Sequence, residues 1–133
     1  EVMRWALNLG RIQTGGIDDG WQPADMLRMA TYNGAHAMGL GEHLGSLEAG
    51  KLADMVCVDM RRPHLVPNIN PLGNLVHTGQ GRDVAMVLVH GEIVVEGGRA
   101  LRVDQDSILA DAQQAAAALW ERARAQVEPR RNA

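Results

Sequence analysis

Five histidines, the side chains best suited to proton transfer and metal binding near neutral pH, lie at positions 36, 43, 64, 77 and 90. Metal motifs that a sequence can reveal, such as His-x-x-x-His on a helix, need fixed spacing, and none of the five has it. His36, His43 and His90 are therefore interpreted as packing, turn or surface residues. His64 and His77 flank a proline-rich connection and are the stronger candidates for a function, although such residues more often satisfy backbone groups.

Nucleophiles and paired carboxylates are equally sparse. Ser46 and Ser107 lack the Gly-x-Ser-x-Gly context of a nucleophile elbow. Cys57, the only cysteine, lies inside an apolar strand and is expected to be a buried, inert thiol. Asp54 and Asp59 bracket that strand at an odd separation, so they point to opposite faces and cannot form an acid–base couple. The residues alone predict no catalytic or metal-binding site.

The elements of the first third are predicted to be helices. Residues 1–12 have the spacing of an amphipathic helix, with an apolar face of Val2, Trp5, Ala6 and Leu9. A glycine-rich loop over 14–20 leads to Trp21, a candidate hydrophobic staple, and to Pro23 in the first turn of a second helix. That helix is expected to bury Met26, Leu27, Met29 and Ala30. Residues 31–34 are expected to interrupt it before a short helix that Gly39 ends.

The middle of the chain has the period of strands. Residues 53–59, 83–89 and 92–96 predict three strands, with His90-Gly91 as the tight turn of a hairpin between the last two. Residues 61–81 contain three prolines and three glycines and predict a long connection. The element order, helices followed by strands and a final helix, indicates a mixed α/β fold.

A long final helix is predicted over about residues 105–126, with Asp104 as its N-cap. Its inward face would carry Leu109, Ala112, Ala116, Leu119 and Ala123. Trp120, like Trp5, is expected at a packing position.

Composition narrows the class of protein. The chain has 133 residues, of which 46% are apolar, and this suits one small globular domain with its own core. A net charge of −3 gives no reason to expect nucleic acid or an anionic membrane as partner. No apolar run approaches the ~20 residues of a membrane span, and the cytoplasm is the expected compartment. A start at Glu1 within a helix suits a fragment or a cleaved chain.

A long string of residues resembles a run found in the amidohydrolase superfamily. It consists of Met29-Ala-Thr-Tyr-Asn-Gly-Ala35, Met38-Gly-Leu40 and Gly45-Ser-Leu-Glu-Ala-Gly-Lys-Leu-Ala-Asp-Met-Val-Cys-Val-Asp59. Four shorter runs resemble one branch of that superfamily, which contains triazine hydrolases, adenosine-derivative deaminases and guanine deaminase-like enzymes. The runs are Arg62-Pro-His-Leu-Val-Pro67, Asn74-Leu-Val-His77, Gly81-Arg-Asp-Val84 and Val89-His-Gly-Glu-Ile-Val-Val95. The resemblance covers about residues 1–126 and is most specific in the string that begins at Gly45.

The resemblance implies a division of the chain into four parts. Residues 1–41 would be the final helices of a (β/α)₈ hydrolase barrel, residues 42–103 the C-terminal half of a composite β-sandwich, residues 104–127 a terminal helix packed back on the barrel, and residues 128–133 a flexible tail. Gly45 and Gly50 permit the tight bends needed between barrel and sandwich, and Lys51 and Asp54 frame the entry to the strand.

In that family a His-x-His pair, later histidines, a Glu and an Asp hold zinc or iron and the water that attacks a heterocyclic ring, so that ammonia, an amine or chloride leaves. The resemblance places all of these residues upstream of Glu1. No catalytic or metal role therefore transfers to a numbered position, and the substrate-binding residues are unknown. The chain alone is expected to be inactive and to bind no catalytic metal.

Three interpretations remain open. The chain is the C-terminal portion of a metal-dependent hydrolase, a non-catalytic subunit of a split one, or a standalone binding module that retains the fold. The first two imply the remainder of the barrel as partner, a small N-heterocycle as the parent enzyme's substrate, and an oligomeric assembly.

Overall fold

A computed structural model describes residues 1–17 and 19–131, without the side chains of residues 126–131. The chain divides into two compact units, Glu1–Gly98 and Arg99–Ala133. The first unit contains four α-helices and three strands, and the second contains a short strand and the long final helix.

The first unit begins with α1 (Val2–Thr14) and α2 (Pro23–Arg28), and both predicted helices are confirmed. Gly15 ends α1 in the left-handed conformation with φ 78°, as glycine commonly does after a helix. Pro23 occupies the first turn of α2, where its missing N–H removes no helical hydrogen bond. Asp25 then accepts the backbone N–H of Gln22 at 3.0 Å and caps the helix.

A small apolar core holds these helices together. Leu7, Met26 and Val76 are its fully buried members, and Met3, Ala6, Trp21 and Leu72 pack against them. Trp21 directly precedes the N-cap of α2 and packs against the cluster that contains Met26, in the position predicted for a hydrophobic staple. Its ring also lies on Gly10, where an added Cβ would come within 2.2 Å of a ring carbon. The absence of a side chain at Gly10 therefore makes room for Trp21.

Gly10→Ala is expected to lower the free energy of unfolding by about 1–3 kcal/mol, because the new methyl group displaces the Trp21 ring. Without that contact, the same change inside a helix would stabilise by roughly 0.5–1 kcal/mol. Urea unfolding of the chain measures the difference. Gly16→Ala is the matched control, since nothing lies within 4 Å of an added Cβ there. A Gly10→Ala chain that is more stable than wild type would contradict the packing.

The helix after Arg28 continues where an interruption is predicted. Met29–Asn33 form a π-helical turn, and α3 (Gly34–Ala37) follows without a break. Thr31 Oγ1 donates to the Leu27 carbonyl at 2.7 Å, so a polar side chain supports the widened turn. The predicted break at residues 31–34 is thus wrong, whereas Gly39, with φ 73°, ends the helix as expected. Met29 and Ala30 are exposed, contrary to prediction.

The first unit also contains an antiparallel sheet, in which β1 (Met55–Val58), β2 (Val84–Val89) and β3 (Glu92–Glu96) are neighbours in that order. The three predicted strands are confirmed, with β1 shorter than expected. His90 and Gly91 form the hairpin turn with φ 53° and 79°. Two successive positive φ values match the twist that a two-residue hairpin requires.

The predicted connection over residues 61–81 contains two helical segments. A 3₁₀ turn covers Pro63–Leu65, and α4 spans Pro71–Thr78. Pro71 starts α4, because Asn70 precedes it as an N-cap and accepts the Gly73 N–H at 2.9 Å. Asn74 donates to the carbonyls of Leu65 at 2.8 Å and Pro67 at 2.9 Å, and this ties α4 to the 3₁₀ turn. Pro63 and Pro71 thus begin helical segments here.

The second unit contains β4 (Arg99–Ala100) and α5 (Gln105–Arg131). The predicted cap is confirmed, since Asp104 Oδ1 accepts the Ser107 N–H at 3.1 Å. In this chain Leu109 and Leu119 are each 59% exposed and Trp120 is 64% exposed, so the packing of α5 on the barrel stays a prediction. The helix extends to Arg131, and the end of the predicted tail, residues 132–133, lies outside the described part of the chain. Within the described residues, no helix has the length and apolarity to cross a membrane.

Candidate functional site

A polar cluster of Ser46, Glu48 and Lys51 lies in the loop that joins α3 to β1. Lys51 Nζ donates to Ser46 Oγ at 2.7 Å and to the Gly41 carbonyl at 2.9 Å, and it lies 3.5 Å from Glu48 Oε1. Ser46 in turn donates its hydroxyl proton to Glu48. The hydrogen bond from Ser46, followed by the charge of Lys51, lowers the pKa of the Glu48 carboxyl. The Lys51 side chain is only 13% exposed, so the cluster is a fixed part of the loop.

This arrangement brings a serine and a lysine together without making a nucleophile. The Ser46 hydroxyl donates to Glu48, and the Lys51 ammonium contacts a carbonyl, a hydroxyl and a carboxylate. The depression beside it, lined by residues 46–48, 51–53 and 55, has a volume of about 230 Å³. Ligand pockets usually measure about 300–1,000 Å³. The cluster therefore stabilises a bend in the loop.

Of the five histidines, His64 is the one whose ring contacts a buried carboxylate in the described structure. Its Nε2 lies 2.8 Å from Asp83 Oδ2, and the Asp83 side chain is only 1% exposed. The backbone N–H of Gln80 donates to the same oxygen at 2.8 Å, and the N–H of Asp59 donates to the Asp83 carbonyl at 2.8 Å. The hydrogen bond from His64 is the main cause that lowers the pKa of Asp83, against the opposing effect of burial. Asp83 thus joins the 3₁₀ turn at Pro63 to the ends of β1 and β2.

The sequence indicated His64 but not its partner. Asp83 lies 19 residues away, and the only local signal for it is the three-residue spacing from Gln80 that a capping box requires. The pair has the geometry of an oriented histidine, but its carboxylate is buried and already holds a backbone N–H. We therefore assign it a structural role.

The pair predicts a loss of stability in acid. Asp83 has a lower pKa when folded than when unfolded, so its contribution is complete above the unfolded value, near 4, and is lost as the pH falls through the folded value. His64→Ala is expected to lower the urea midpoint at pH 7, because the buried carboxylate loses a partner, and to flatten the dependence on pH below about 4. His43→Ala, at an exposed histidine, is the control. Equal acid slopes for wild type and His64→Ala would contradict the linkage.

The other histidines are not gathered into a site. His36 Nδ1 donates to the Tyr32 carbonyl at 2.9 Å, and its ring stacks on the Tyr32 ring. The ring also lies against Gly41, where an added Cβ would come within 2.6 Å of it. His43, His77 and His90 are exposed. In the part of the chain that the structure describes, no three His, Cys, Asp or Glu side chains lie together as a possible metal site.

Cys57 and the two aspartates that flank β1 lie in different local environments. Cys57 is exposed, so its predicted burial is wrong; the neighbouring Val56 is exposed as well, which shows that β1 is not covered as an interior strand would be. Asp54 accepts the His90 N–H at 2.6 Å and thereby ties the strand entry to the hairpin turn. Asp59 accepts from Arg61 Nε at 3.0 Å, and this contact lowers the pKa of Asp59. As predicted, the two carboxylates form no couple.

An exposed apolar stripe runs along α1, made of Val2, Trp5, Leu9 and Ile12. Three of these belong to the predicted apolar face, yet the core of this unit is filled from another side of the helix, by Met3, Ala6, Leu7 and Gly10. Trp5 remains 65% exposed. A helix with apolar residues on two sides is typical of one that packs between two layers of a larger protein. This α1 stripe is therefore the best candidate for a functional surface.

Comparison with protein families and characterised relatives shows which proteins this chain is similar to. The model of the amidohydrolase family matches residues 1–94. The 5-methylthioadenosine/S-adenosylhomocysteine deaminase of Syntrophobacter fumaroxidans is 43% identical over 94 residues, 70% of this chain and 22% of the relative. That of Pelotomaculum thermopropionicum is 41% identical over 123 residues, 92% of this chain and 28% of the relative. The chain thus spans about a quarter of the curated relatives it matches.

Solved structures agree in sequence and in fold. An adenosine deaminase from Xanthomonas campestris with bound zinc superposes with a TM-score of 0.79 at 31% identity, over 84% of this chain and 25% of that one. The atrazine chlorohydrolase TrzN from Arthrobacter aurescens TC1, complexed with zinc, gives a TM-score of 0.76 at 29% identity over the same shares. The predicted resemblance and the mixed helix-and-sheet fold class are confirmed. This chain belongs to the amidohydrolase family.

Proposed function

We propose that this chain is the C-terminal portion of a metal-dependent amidohydrolase that removes an amino group, or a chloride, from a small N-heterocycle. Its own role is to complete the scaffold. Residues 1–41 form the last helices of a (β/α)₈ barrel, and residues 42–103 form one part of a composite β-sandwich. The catalytic groups and the metal belong to the preceding barrel strands, whose C-terminal ends carry the active site in enzymes of this architecture.

The α1 stripe carries this proposal. Trp5 and its neighbours present apolar side chains on the side of α1 that faces away from the core of this unit. In a barrel, each outer helix packs on the strands inside it and on the neighbouring helices, so both sides of α1 become buried. The relatives that match over most of this chain are much longer than it, so we expect the rest of such a protein to cover the α1 stripe.

The substrate class follows from the named relatives. Three groups of relatives act, by name, on 5-methylthioadenosine or S-adenosylhomocysteine, on 5'-deoxyadenosine, and on atrazine. These names imply hydrolytic displacement at a carbon of an aromatic N-heterocycle, a reaction for which a bound metal ion would supply an activated water. We propose a deaminated purine nucleoside as the product, because the relatives that match over more than nine-tenths of the chain are deaminases of such substrates.

A chimera tests the proposal directly. The segment of the Pelotomaculum deaminase that aligns with this chain, 28% of its length, is replaced by residues 1–133. The chimera is expected to be soluble, to retain the parent's metal content and to deaminate S-adenosylhomocysteine. The same deaminase truncated at the junction is the control and is expected to lose all three properties.

A second arrangement distinguishes one continuous chain from a split enzyme. The truncated deaminase and the 133-residue chain are expressed together as separate polypeptides, and metal content and deamination are measured on the purified complex. Recovery of activity would favour a separate subunit as a workable form.

A folded, soluble chimera without bound metal would show that this chain is not the structural equivalent of the segment it replaced.

A further inference from the structure

The helices and the sheet of the first unit contact each other at few places. The fully buried residues of its main core, Leu7, Met26 and Val76, all lie in helices. Among the described residues, helices pack mainly on helices and strands pair mainly with strands, and no helix packs extensively on a strand. The apolar core therefore belongs to the helices, and the joint between them and the sheet depends on other contacts.

One peptide group, that between Gly79 and Gln80, lies in this joint. Its carbonyl oxygen accepts a hydrogen bond from Arg4 Nη2 at 2.9 Å, and its N–H donates to Asp83 Oδ2 at 2.8 Å. Because the peptide is trans, its C=O and its N–H point to opposite sides. A cation from α1 and a carboxylate just before β2 therefore hold the two ends of one amide.

Local packing fixes the position of this peptide. Gly79 follows the last turn of α4, and its N–H donates to the carbonyls of Asn74 and Leu75, each at 3.1 Å. An added Cβ at Gly79 would come within 2.4 Å of the Leu75 carbonyl oxygen, so a larger residue does not fit there. The peptide is thus held against the end of α4 at a defined place between the two charged groups.

The two charged groups are largely withdrawn from water. The Asp83 side chain is only 1% exposed. Arg4 Nε and Asp83 Oδ1 are both shielded from solvent without a hydrogen-bond partner among the described residues, so each group depends on the bonds that its other atoms make. Hydrogen bonds to charged groups are about twice as strong as neutral ones. A cation on the carbonyl also polarises the amide and makes its N–H a better donor to the carboxylate, so the two bonds strengthen each other.

Asp83 continues the connection into the sheet. Its backbone carbonyl accepts the N–H of Asp59 at the end of β1 at 2.8 Å, and β2 begins at the next residue. Its carboxylate also contacts His64 Nε2 in the 3₁₀ turn. A cation at the C-terminus of α4 would by itself stabilise only that helix. The carbonyl that Arg4 contacts, however, belongs to a peptide whose N–H leads through Asp83 to both strands.

We propose that Arg4 and Asp83 act together on the Gly79–Gln80 peptide, and that this peptide clamp couples the helices of the first unit to its sheet. Arg4 is then a positioning residue, which acts on the strands through the peptide and Asp83. All atoms of the peptide clamp belong to this chain, so the inference does not rest on the proposed function. In the proposed enzyme the peptide clamp joins the last barrel helices to the sandwich.

A double-mutant cycle in the 133-residue chain tests the coupling. Arg4→Gln removes the cation, Asp83→Asn removes the anion, and urea unfolding gives the unfolding constants of the single and double variants. In a peptide clamp the loss of one group removes part of the benefit of the other. The double variant is therefore expected to unfold with a constant at least about threefold smaller than the product of the two single effects.

Arg11→Gln is the matched control for Arg4→Gln. Arg11 also lies on α1 and donates from its guanidinium to a carbonyl, that of Trp21, at 3.1 Å. Its effect is expected to multiply with that of Asp83→Asn within about twofold. Where Asp83→Asn does not fold, His64→Gln takes its place in the cycle, because His64 contacts the same carboxylate oxygen as the Gln80 N–H, and non-additivity of the same sign is expected.

The amide proton of Gln80 gives a measurement that a general loss of stability does not change. In proton–nitrogen correlation spectra of the folded chain, Arg4→Gln is expected to move this proton upfield, because a less polarised N–H forms a weaker hydrogen bond. Arg11→Gln is expected to leave it in place. Native-state hydrogen exchange of Arg4→Gln is expected to show a larger loss of protection in β1 and β2 than in the helices, which keep their apolar core.

Each of three outcomes would overturn the peptide clamp. The first is a cycle in which the effects of Arg4→Gln and Asp83→Asn simply multiply, as expected if Arg4 only stabilises the end of α4. The second is a Gln80 amide proton that Arg4→Gln leaves in place. The third is an equal loss of protection in helices and sheet. An inactive chimera together with a non-additive cycle would contradict the proposed function and leave the peptide clamp intact.

Discussion

Gly45→Ala is expected to lower the free energy of unfolding by roughly 2–5 kcal/mol, a large effect for one methyl group. Gly45 has φ 94°, and an added Cβ would lie 2.8 Å from the Ala35 Cβ, 3.0 Å from the Tyr32 Cα and 3.1 Å from the Thr31 carbonyl. A left-handed conformation costs a residue with a side chain about 1–2 kcal/mol. Displacement of the packed backbone adds about 1–3 kcal/mol.

Gly50→Ala isolates the first of these costs, the backbone strain. Gly50 has the same φ of 94°, but nothing lies within 4 Å of an added Cβ. Its substitution is therefore expected to cost only the backbone strain, about 1–2 kcal/mol. Urea unfolding of both variants gives the difference, which measures how closely the loop approaches the π-helical turn and α3. Equal destabilisation of the two variants would contradict that close approach.

These glycines show which features the sequence could predict. Gly45, Gly50 and Lys51 were expected to make a bend, and the structure has positive φ at both glycines and a nearly buried Lys51 ammonium between them and Gly41. Glycine indicates such positions in a sequence, because few other residues adopt a positive φ. The hairpin at His90-Gly91 was predictable for the same reason. Local backbone requirements are visible in local sequence.

Burial was harder to predict, because it depends on what covers a residue. Periodicity indicated that α1 is amphipathic, but it could not separate the side that packs in this unit from the side that remains exposed. Gly10 has no apolar side chain and gives no signal, yet Trp21 packs on it. Cys57 has the setting of an interior strand residue and is exposed. These errors concern surfaces whose cover is not in the described structure.

Long-range polar partners and helix starts account for the remaining differences. His64 was the best histidine candidate, but its carboxylate partner Asp83 is distant in sequence, and no local pattern joins the two. Pro71 contributed to the expected connection because proline ends helices in their interior. At the first position of a helix proline is favourable, and Asn70 supplies the cap that makes it so.

Trp5→Asp is the second large prediction, and its effect depends on the rest of the enzyme. In the 133-residue chain Trp5 is 65% exposed, so the substitution is expected to change the free energy of unfolding by less than about 0.5 kcal/mol. In the chimera with the Pelotomaculum deaminase the same side chain is expected to be buried against the barrel. An unpaired carboxylate there costs several kcal/mol, and we expect at least a ~100-fold loss of folded, metal-containing enzyme.

Asn8→Asp on the same helix separates burial from added charge. Asn8 is exposed and lies outside the α1 stripe, so a carboxylate at this position is expected to be tolerated in both proteins. Metal content and deamination are measured for the two chimeras, and urea unfolding is measured for the two isolated chains. A chimera that tolerates Trp5→Asp as well as Asn8→Asp would show that the stripe stays in solvent. The chain would then need another explanation for four aligned apolar side chains on α1, and its role as barrel scaffold would lose its main structural support.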